Sequence, residues 1–461
     1  MSIRLICATA VGKATAALSR ALRLGGGTTM PGRVARAIDP GVVRSLSARL
    51  PRGTVVITGT NGKTTTARLV SHIFSEAGLV TVHNRAGANL HAGITAALVE
   101  HADWSGGVRG DVGLFEVDEA TLPAAADSLR PRVVVLTNLF RDQLDRYGEV
   151  DVIAGRWRDA LSRLPRETIV CFNADDPQVA TVVDGLALEK IPFGIEDETV
   201  GRAAIEDAAD ARHCYRCGTP YDYRVVYLSH LGDYACGRCG IRRPEPSVRA
   251  EAVTLRGARG SDATLVWDGV RVGARTVLPG LYNVYNLLAA TAVAVALSIH
   301  AEIVRRAVAS FAPAFGRAER LRWEGVDLHI LLAKNPAGFN EVLRTVTAER
   351  PRSLLIAIND LTADGADISW LWDVDFEILR DVDARIAISG IRAPEMALRL
   401  KYAGVSEDRM TVSDDLEVAL RVARQFTSNG GTLFAIPTYT AMLELRRILQ
   451  KRGAVKGFWE D

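Results

Sequence analysis

Residues Thr58-Gly59-Thr60-Asn61-Gly62-Lys63-Thr64-Thr65-Thr66 stand between an apolar run, Thr54-Val55-Val56-Ile57, and an amphipathic stretch, Ala67 to Ala77. The order is that of a buried strand, a glycine-bearing loop and a helix. The glycines let backbone N–H groups approach a phosphate chain, and Lys63 places a point charge at the β- and γ-phosphates. The Thr64 hydroxyl is positioned to ligate Mg²⁺. Only two residues separate Gly59 from Gly62, so the spacing is tighter than the common G-x-x-x-x-G-K-[ST] loop. The competing reading, a glycine-rich turn with an incidental Lys, does not account for the flanking strand and helix.

The loop sits in a longer pattern. Val55–Thr58, Val80–His83, Val112–Val117, Val133–Asn138 and Ile169–Asn173 read as short buried strands, most of them separated by helical stretches. This alternation predicts an α/β fold with a parallel sheet and functional loops at the strands' carboxyl ends. Ala263–Trp267 and Val270–Val277 predict a hairpin around Asp268-Gly269, and a long helix runs from Asn283 to Leu297. Beyond an interruption near Phe311 to Arg320, Leu328–Leu332, Leu354–Ile358, Ala384–Ile388 and Thr432–Ile436 predict a second, Rossmann-like α/β unit. The resulting division is an N-terminal helical segment (1–50), an ATP-binding unit (51–315) and a C-terminal unit (316–461).

With 461 residues and a net charge of +2, the chain is long enough for several cores and too neutral for a general polyanion binder. No apolar run approaches the roughly 20 residues that span a bilayer. Near the N-terminus, Val11, Ala14, Leu18 and Leu22 share one helical face. They predict an amphipathic helix packed on the body or resting near a membrane surface. Cys7 and Cys171 are isolated and are expected to be buried, and a reducing, cytoplasmic setting fits the cysteine pattern.

The other four cysteines form two C-x-x-C pairs, Cys214/Cys217 and Cys236/Cys239, with eighteen residues between the pairs. This spacing matches a four-thiolate Zn²⁺ ribbon, inserted over residues 211–243, which is coordinatively full and therefore structural. A redox dithiol pair is the alternative. Arg212, Arg216, Arg224, Arg238, Arg242 and Arg243 surround it. A nucleic-acid-binding ATPase is a rival reading, disfavoured by the neutral charge and the lack of interleaved aromatic and basic residues elsewhere.

Carboxylates cluster at strand ends. In Phe115-Glu116-Val117-Asp118-Glu119, Glu116 or Asp118 is the candidate Mg²⁺ ligand. Thr137–Asp145 and Asn173-Ala-Asp175-Asp176-Pro177 end two further strands, the latter placed to meet adenine or ribose.

Gly59–Thr66, Glu116, Thr137–Asp145, Asn173–Pro177 and Gly280-Leu-Tyr-Asn283-Val-Tyr-Asn286 follow the order found in Mur ligases and folylpolyglutamate synthases, which this chain resembles. The resemblance implies a Mur-ligase-type central P-loop ATPase domain that uses ATP to convert a carboxylate to an acyl phosphate for attack by an amine. It implies that Gly59, Thr60, Asn61, Gly62, Lys63, Thr64 and Thr65 hold the triphosphate and Mg²⁺, with Glu116 as metal ligand. Asn173 and Asn283 would contact the nucleoside, and Arg317 in Phe315-Gly316-Arg317 a phosphate.

Three departures narrow the match. Gln143 replaces the His of the D-H-L-D segment, no Lys occurs between Lys63 and Lys190 for a carbamylated metal-bridging role, and only about fifty residues precede the loop. Together with the four-cysteine ribbon, the segments Gly25-Gly26-Gly27-Thr28, His83–Asn89, Ala333-Lys334-Asn335-Pro336-Ala337-Gly338 and Asn359–Trp370 resemble the MurT family. These are synthetase subunits of lipid II isoglutaminyl synthases. That resemblance implies a heterodimer with a GatD-type glutaminase and amidation of the D-glutamate α-carboxylate of lipid II at the inner face of the membrane. It also implies that an Asp completes the partner's Cys–His pair. Asp367 is the assigned residue, and Asp364 and Asp360 are its rivals, with simple helix capping as the structural alternative. A Mur or folylpolyglutamate ligase adding an amino acid is the alternative activity.

Overall fold

The computed structural model describes residues 2–21, 29–84, 88–104, 107–141, 150–203, 205, 209–312 and 317–455. Its first strands are β1 (Thr54–Thr58), β2 (Thr81–His83), β3 (Val112–Glu116), β4 (Val133–Leu136), β5 (Ile169–Asn173) and β6 (Glu189–Ile195). A separate hairpin, β7 (Asp222–Leu228) and β8 (Leu231–Ala235), precedes β9 (Val248–Leu255), β10 (Ser261–Trp267) and β11 (Val270–Thr276). Apart from β7 and β8, these form one nine-stranded sheet of order β11-β10-β9-β6-β5-β4-β1-β3-β2. It is parallel from β2 to β9 and antiparallel across β9, β10 and β11.

All five residues of β1 are buried. Val55 and Ile57 point into one hydrophobic cluster and Val56 into the other, so both faces of the sheet are covered. This is why β1 reads as a continuous apolar run without alternation. On the Val56 face lie α1 (Ile3–Ala21), α2 (Met30–Ile38) and α3 (Val42–Ser47). The first helix after β1, α4 (Lys63–Glu76), covers the opposite face. The Val56 face also carries α5 (His91–His101), α6 (Leu122–Leu129), α7 (Val150–Ser162) and α8 (Pro177–Val183). Beside α4 lie α9 (Leu281–Ala296) and α10 (Ala301–Ser310). The expected hairpin is present, with Asp268 (φ 45°) and Gly269 (φ 77°) both left-handed as a type I′ turn requires.

The C-terminal strands are β12 (Arg317–Trp323), β13 (Val326–Leu331), β14 (Ser353–Ala357), β15 (Arg385–Ser389), β16 (Met410–Val412) and β17 (Thr432–Pro437). They make a six-stranded sheet of order β12-β13-β17-β14-β15-β16, antiparallel only between β12 and β13. One face packs α11 (Pro336–Thr347) and α12 (Ala393–Tyr402), the other α13 (Leu416–Gln425) and α14 (Tyr439–Lys451).

The expected N-terminal helix is present, and one expectation about it is corrected. Helix α1 buries Leu5, Ala8 and Thr9, whereas Val11 and Leu18 are 42% and 60% exposed. Small residues allow the closer approach to α2, so the larger side chains are turned outward. Cys7 is exposed on the same helix, so of the two isolated cysteines Cys171 alone is buried. Leu22 lies outside the described residues. No helix among the described residues is long and apolar enough to cross a membrane.

Candidate active site

β1 lies between β3 and β4, where the strand order turns back, and the loop after it opens into the crevice at that switch point. Gly59 (φ 137°) and Gly62 (φ 85°) make the loop possible. A Cβ on Gly59 would lie 2.1 Å from Thr137 Oγ1, and one on Gly62 would lie 2.0 Å from Asn286 Oδ1. The neighbouring strand end forms the loop's wall. Asn138 Oδ1 accepts from the Asn61 N–H at 2.8 Å, and Asn138 Nδ2 donates back to the Asn61 carbonyl at 3.1 Å. The Thr60 hydroxyl is tied to the Phe140 backbone at 3.0 and 3.1 Å. Helix α4 starts at Lys63 with Gly62 as its cap and no side-chain capping bond. Its first-turn N–H groups and dipole therefore face the crevice as an anion site.

Two acid–base contacts occupy that mouth. Lys63 Nζ donates to Glu119 Oε2 at 2.9 Å and to the Thr60 carbonyl at 3.2 Å, and also contacts the Gly59 carbonyl. Burial disfavours the ammonium, but Glu119, Glu116 and Asp118 outweigh it and hold the Lys63 pKa above its ordinary value. Burial likewise opposes ionisation of Glu119, and Lys63 and Lys334 overcome it, holding that carboxyl below the usual range. The Thr64 hydroxyl reaches both Glu116 oxygens, at 2.9 and 2.8 Å. Glu116 is itself fixed by Asn84, which donates to the Glu116 carbonyl at 2.8 Å and accepts from its N–H at 3.0 Å. Two hard oxygen donors thus converge beside the anion site, as Mg²⁺ on a nucleotide requires.

Asn283 approaches the loop through Asn286. Asn286 Nδ2 donates to Asn283 Oδ1 at 2.9 Å, while Asn283 Nδ2 is held by the Pro279 carbonyl at 2.7 Å. The second sheet contributes as well. Asn335 Nδ2 donates to Asn61 Oδ1 at 3.0 Å, and Asn61 Nδ2 returns a weaker bond to Asn335 Oδ1 at 3.4 Å. Asn335 also caps α11 by accepting from the Gly338 N–H at 2.9 Å. Thr65 is partly exposed in the first turn of α4.

The 173–177 segment begins at the end of β5. Asn173, Asp175 and Asp176 are all fully buried. Asn173 Oδ1 accepts from the Asp175 N–H at 3.1 Å. Asp175 takes Arg243 Nε at 2.6 Å, the Tyr285 hydroxyl at 2.7 Å and the Ile195 N–H at 3.0 Å. Asp176 caps α8 and accepts from the Leu139 N–H at 2.8 Å. Through Arg243, Asp175 fastens the cysteine-rich insertion to the nucleotide-binding sheet.

Within the insertion the four cysteine sulfurs lie within 4.8 Å of one another, with Cys214–Cys239 at 3.5 Å and Cys217–Cys236 at 3.4 Å. A tetrahedral Zn²⁺ thiolate site needs sulfurs about 3.8 Å apart. Both knuckles have the same build: Gly218 N–H donates to the Cys214 carbonyl and Gly240 N–H to the Cys236 carbonyl, at 2.8 and 3.1 Å. The basic rim is largely spent internally. Arg216 pairs with Asp184, Arg224 with Asp233, and Arg243 with Asp175 and Glu196.

Asp367 is exposed and accepts from the Ser369 N–H at 2.8 Å. That N–H holds its carboxyl below the usual range. The rival carboxylates are engaged. Asp364 is buried and accepts from the Thr440 N–H and hydroxyl, and Asp360 is paired with Arg392. Arg317 begins β12, but its side chain lies outside the described residues, as do Gly25–Thr28, Gly87, Asp142–Asp145 and Phe315-Gly316.

Sequence reasoning did not single out Glu119 or the bolting role of Asp175. The signal for Glu119 was present in three acids within four residues of a strand end facing one Lys. Asp175 carried no local signal, because its partner Arg243 lies 68 residues away.

The profile described as the Mur ligase middle domain matches residues 57–233, and that described as MurT ligase C-terminal matches residues 332–442. The chain is 33% identical to "Lipid II isoglutaminyl synthase (glutamine-hydrolyzing) subunit MurT" of Streptococcus pneumoniae R6, over 94% of this chain and 95% of that protein. It is 31% identical to the protein of the same name from Staphylococcus aureus N315, over 92% and 93%. Its fold is similar to that of MurF from Acinetobacter baumannii, with a TM-score of 0.65 and 15% identity over 91% of this chain and 80% of that one. The Mycobacterium tuberculosis folylpolyglutamate synthase gives a TM-score of 0.62 and 16% identity over 90% and 96%. A crevice built for a triphosphate, joined to a C-terminal unit of the second profile, matches these relatives along nearly their whole length, and the chain belongs to the MurT family of Mur-type ligases.

Proposed function

We propose that this chain is the synthetase subunit that amidates the D-glutamate α-carboxylate of the lipid II stem peptide, in peptidoglycan synthesis. The supporting observation is the joining, in one chain, of the Lys63/Thr64/Glu116 mouth to a second unit whose Asp367 is exposed and ionised.

A carboxylate does not accept ammonia directly, because oxide is too poor a leaving group. Its oxygen instead attacks the γ-phosphorus of ATP, and ADP leaves with the bridging electron pair. Ammonia then attacks the acyl carbon, phosphate departs and one proton is lost. Lys63 and the α4 N–H groups stabilise charge gathering on the β-phosphate. Thr64 and Glu116 would hold Mg²⁺, which supplies charge neutralisation along the triphosphate. On binding nucleotide, Lys63 exchanges Glu119 for phosphate oxygen without losing a counter-charge. Asn283, Asn173 and Arg317 complete the nucleotide site in this reading, Asn173 by supporting the strand end. Residues 51–315 form the ATP-binding unit and 316–461 the unit that meets the partner.

The nitrogen comes from a GatD-type glutaminase whose Cys–His pair Asp367 completes. Unprotonated ammonia is the nucleophile, which favours a docked source over free ammonium. Cys214, Cys217, Cys236 and Cys239 would hold Zn²⁺ as a closed structural site that keeps the insertion on the sheet. Action on a lipid-linked substrate places the enzyme at the inner face of the membrane.

Mixing the purified chain with the glutaminase subunit, ATP, Mg²⁺ and lipid II should give glutamine-dependent amidation with release of ADP. Incorporation of a free amino acid with no glutamine requirement would overturn the reading in favour of an amino-acid-adding ligase.

A further inference from the structure

Helix α1 is apolar on the side that faces away from the protein. Ile3, Ile6, Val11 and Leu18 are 80%, 38%, 42% and 60% exposed, and Cys7, Ala14 and Ala17 are exposed with them. At 100° per residue these positions fall on one side of the cylinder, opposite Leu5, Ala8 and Thr9, which pack inward. The Thr15 hydroxyl is satisfied by the Val11 carbonyl at 2.8 Å and adds no unmet polar group. Beside the helix, Trp104 is 70% exposed, with Lys13 Nζ 5.6 Å from its ring centroid. A cation on an exposed tryptophan at the border of an apolar face is the pairing found where proteins meet lipid headgroups. Nearby, Asp103 is turned onto the Gly107 N–H at 2.7 Å.

Charge selects the occupant. Residues 1–38 contain Arg4, Lys13, Arg20, Arg23, Arg33 and Arg36 and no acidic residue, although the whole chain is only +2. The rest of the protein is therefore net acidic. Arg4, Arg33 and Arg36 are exposed. A second copy meeting this face would bring the same cations into contact, which opposes self-association.

We propose that the outward face of α1, with Trp104, docks the enzyme on an anionic bilayer, the helix lying in the interface plane. The apolar residues enter the headgroup boundary while the cations draw counter-charge from acidic lipids. This deepens the proposed action on a lipid-linked substrate and rests on that reading for its purpose, though not for its geometry. Docking would hold the crevice at the surface where such a substrate is found.

The full-length chain is to be co-sedimented with phosphatidylcholine vesicles with and without phosphatidylglycerol, all free of lipid II. Binding to the anionic vesicles only, weakened by salt, is expected. Leu18→Asp should lower the partition coefficient by about tenfold or more, and Leu18→Trp should raise it. Residue 18 is exposed, so both variants should keep the wild-type melting temperature. Absence of binding to anionic vesicles, equal binding to neutral ones, or a folded Leu18→Asp that binds like wild type would overturn the proposal. So would a dimer in solution that Leu18→Asp dissolves. Amidation of detergent-solubilised lipid II is measured separately, and its loss would count against the activity rather than the docking face.

Discussion

Lys63 Nζ and Glu119 Oε2 lie 2.9 Å apart, and both side chains are more than nine-tenths buried. Removing one member of such a pair strands a charge in low dielectric, at a cost of about 3 kcal/mol. Glu119→Gln should therefore lower the melting temperature of the free protein. A bound triphosphate restores the missing negative charge, so Mg-ATP should raise the melting temperature of the variant more than that of wild type. Equal shifts in a thermal-denaturation assay would mean that Lys63 does not reach the phosphates.

Glu116→Gln keeps the hydrogen bond from Thr64 but weakens the oxygen set for a divalent cation. The expected result is a loss of about 10²-fold or more in kcat, with half-maximal activity displaced to higher Mg²⁺. Titrating Mg²⁺ at saturating ATP checks both effects.

Asp367→Asn should abolish glutamine hydrolysis by the assembled complex while amidation driven by added ammonium persists. Asp364→Asn should act on stability instead, because it loosens the bonds that tie its loop to Thr440 in the first turn of α14. If Asp367→Asn retains glutamine turnover, the role belongs elsewhere.

Cys217→Ser is expected to release one Zn²⁺ per chain and to lower the melting temperature. The insertion packs on the nucleotide-binding sheet through Phe140 against His230 (ring centroids 4.6 Å apart) and through Arg243 on Asp175, so ATP affinity should fall too. Elemental analysis and calorimetry read the two effects.

His329 lies on β13 beside the Phe434 ring, and burial, with Arg320 nearby, holds its pKa down to about 4. The unfolded state takes up the proton first, so stability is fully present above about pH 6.5 and falls as the pH drops towards 4. Replacement by Gln should flatten that limb of a pH–denaturation profile by about 3 kcal/mol.

The phosphate loop, Glu116 and the cysteine quartet were legible because each is written in contiguous residues with fixed spacing. The strands β9 and β12 and the hairpin β7–β8 were not, since none of them is an unbroken apolar run. The orientation of α1 was left open for another reason. Both of its faces are apolar, so periodicity locates the helix but not its inward side. Asp175 escaped notice because its meaning depends on Arg243 and Tyr285, which only folding brings to it.

The Asn61–Asn335 pair spans the two units with neutral amides alone. Such a bond is worth about 1 kcal/mol net and is indifferent to salt and to pH across the physiological range. Charged contacts cross the same boundary, Arg141 to Asp373 at 3.8 Å and Arg202 to Glu341 at 4.0 Å, so added salt weakens one part of the junction and leaves the amide pair untouched.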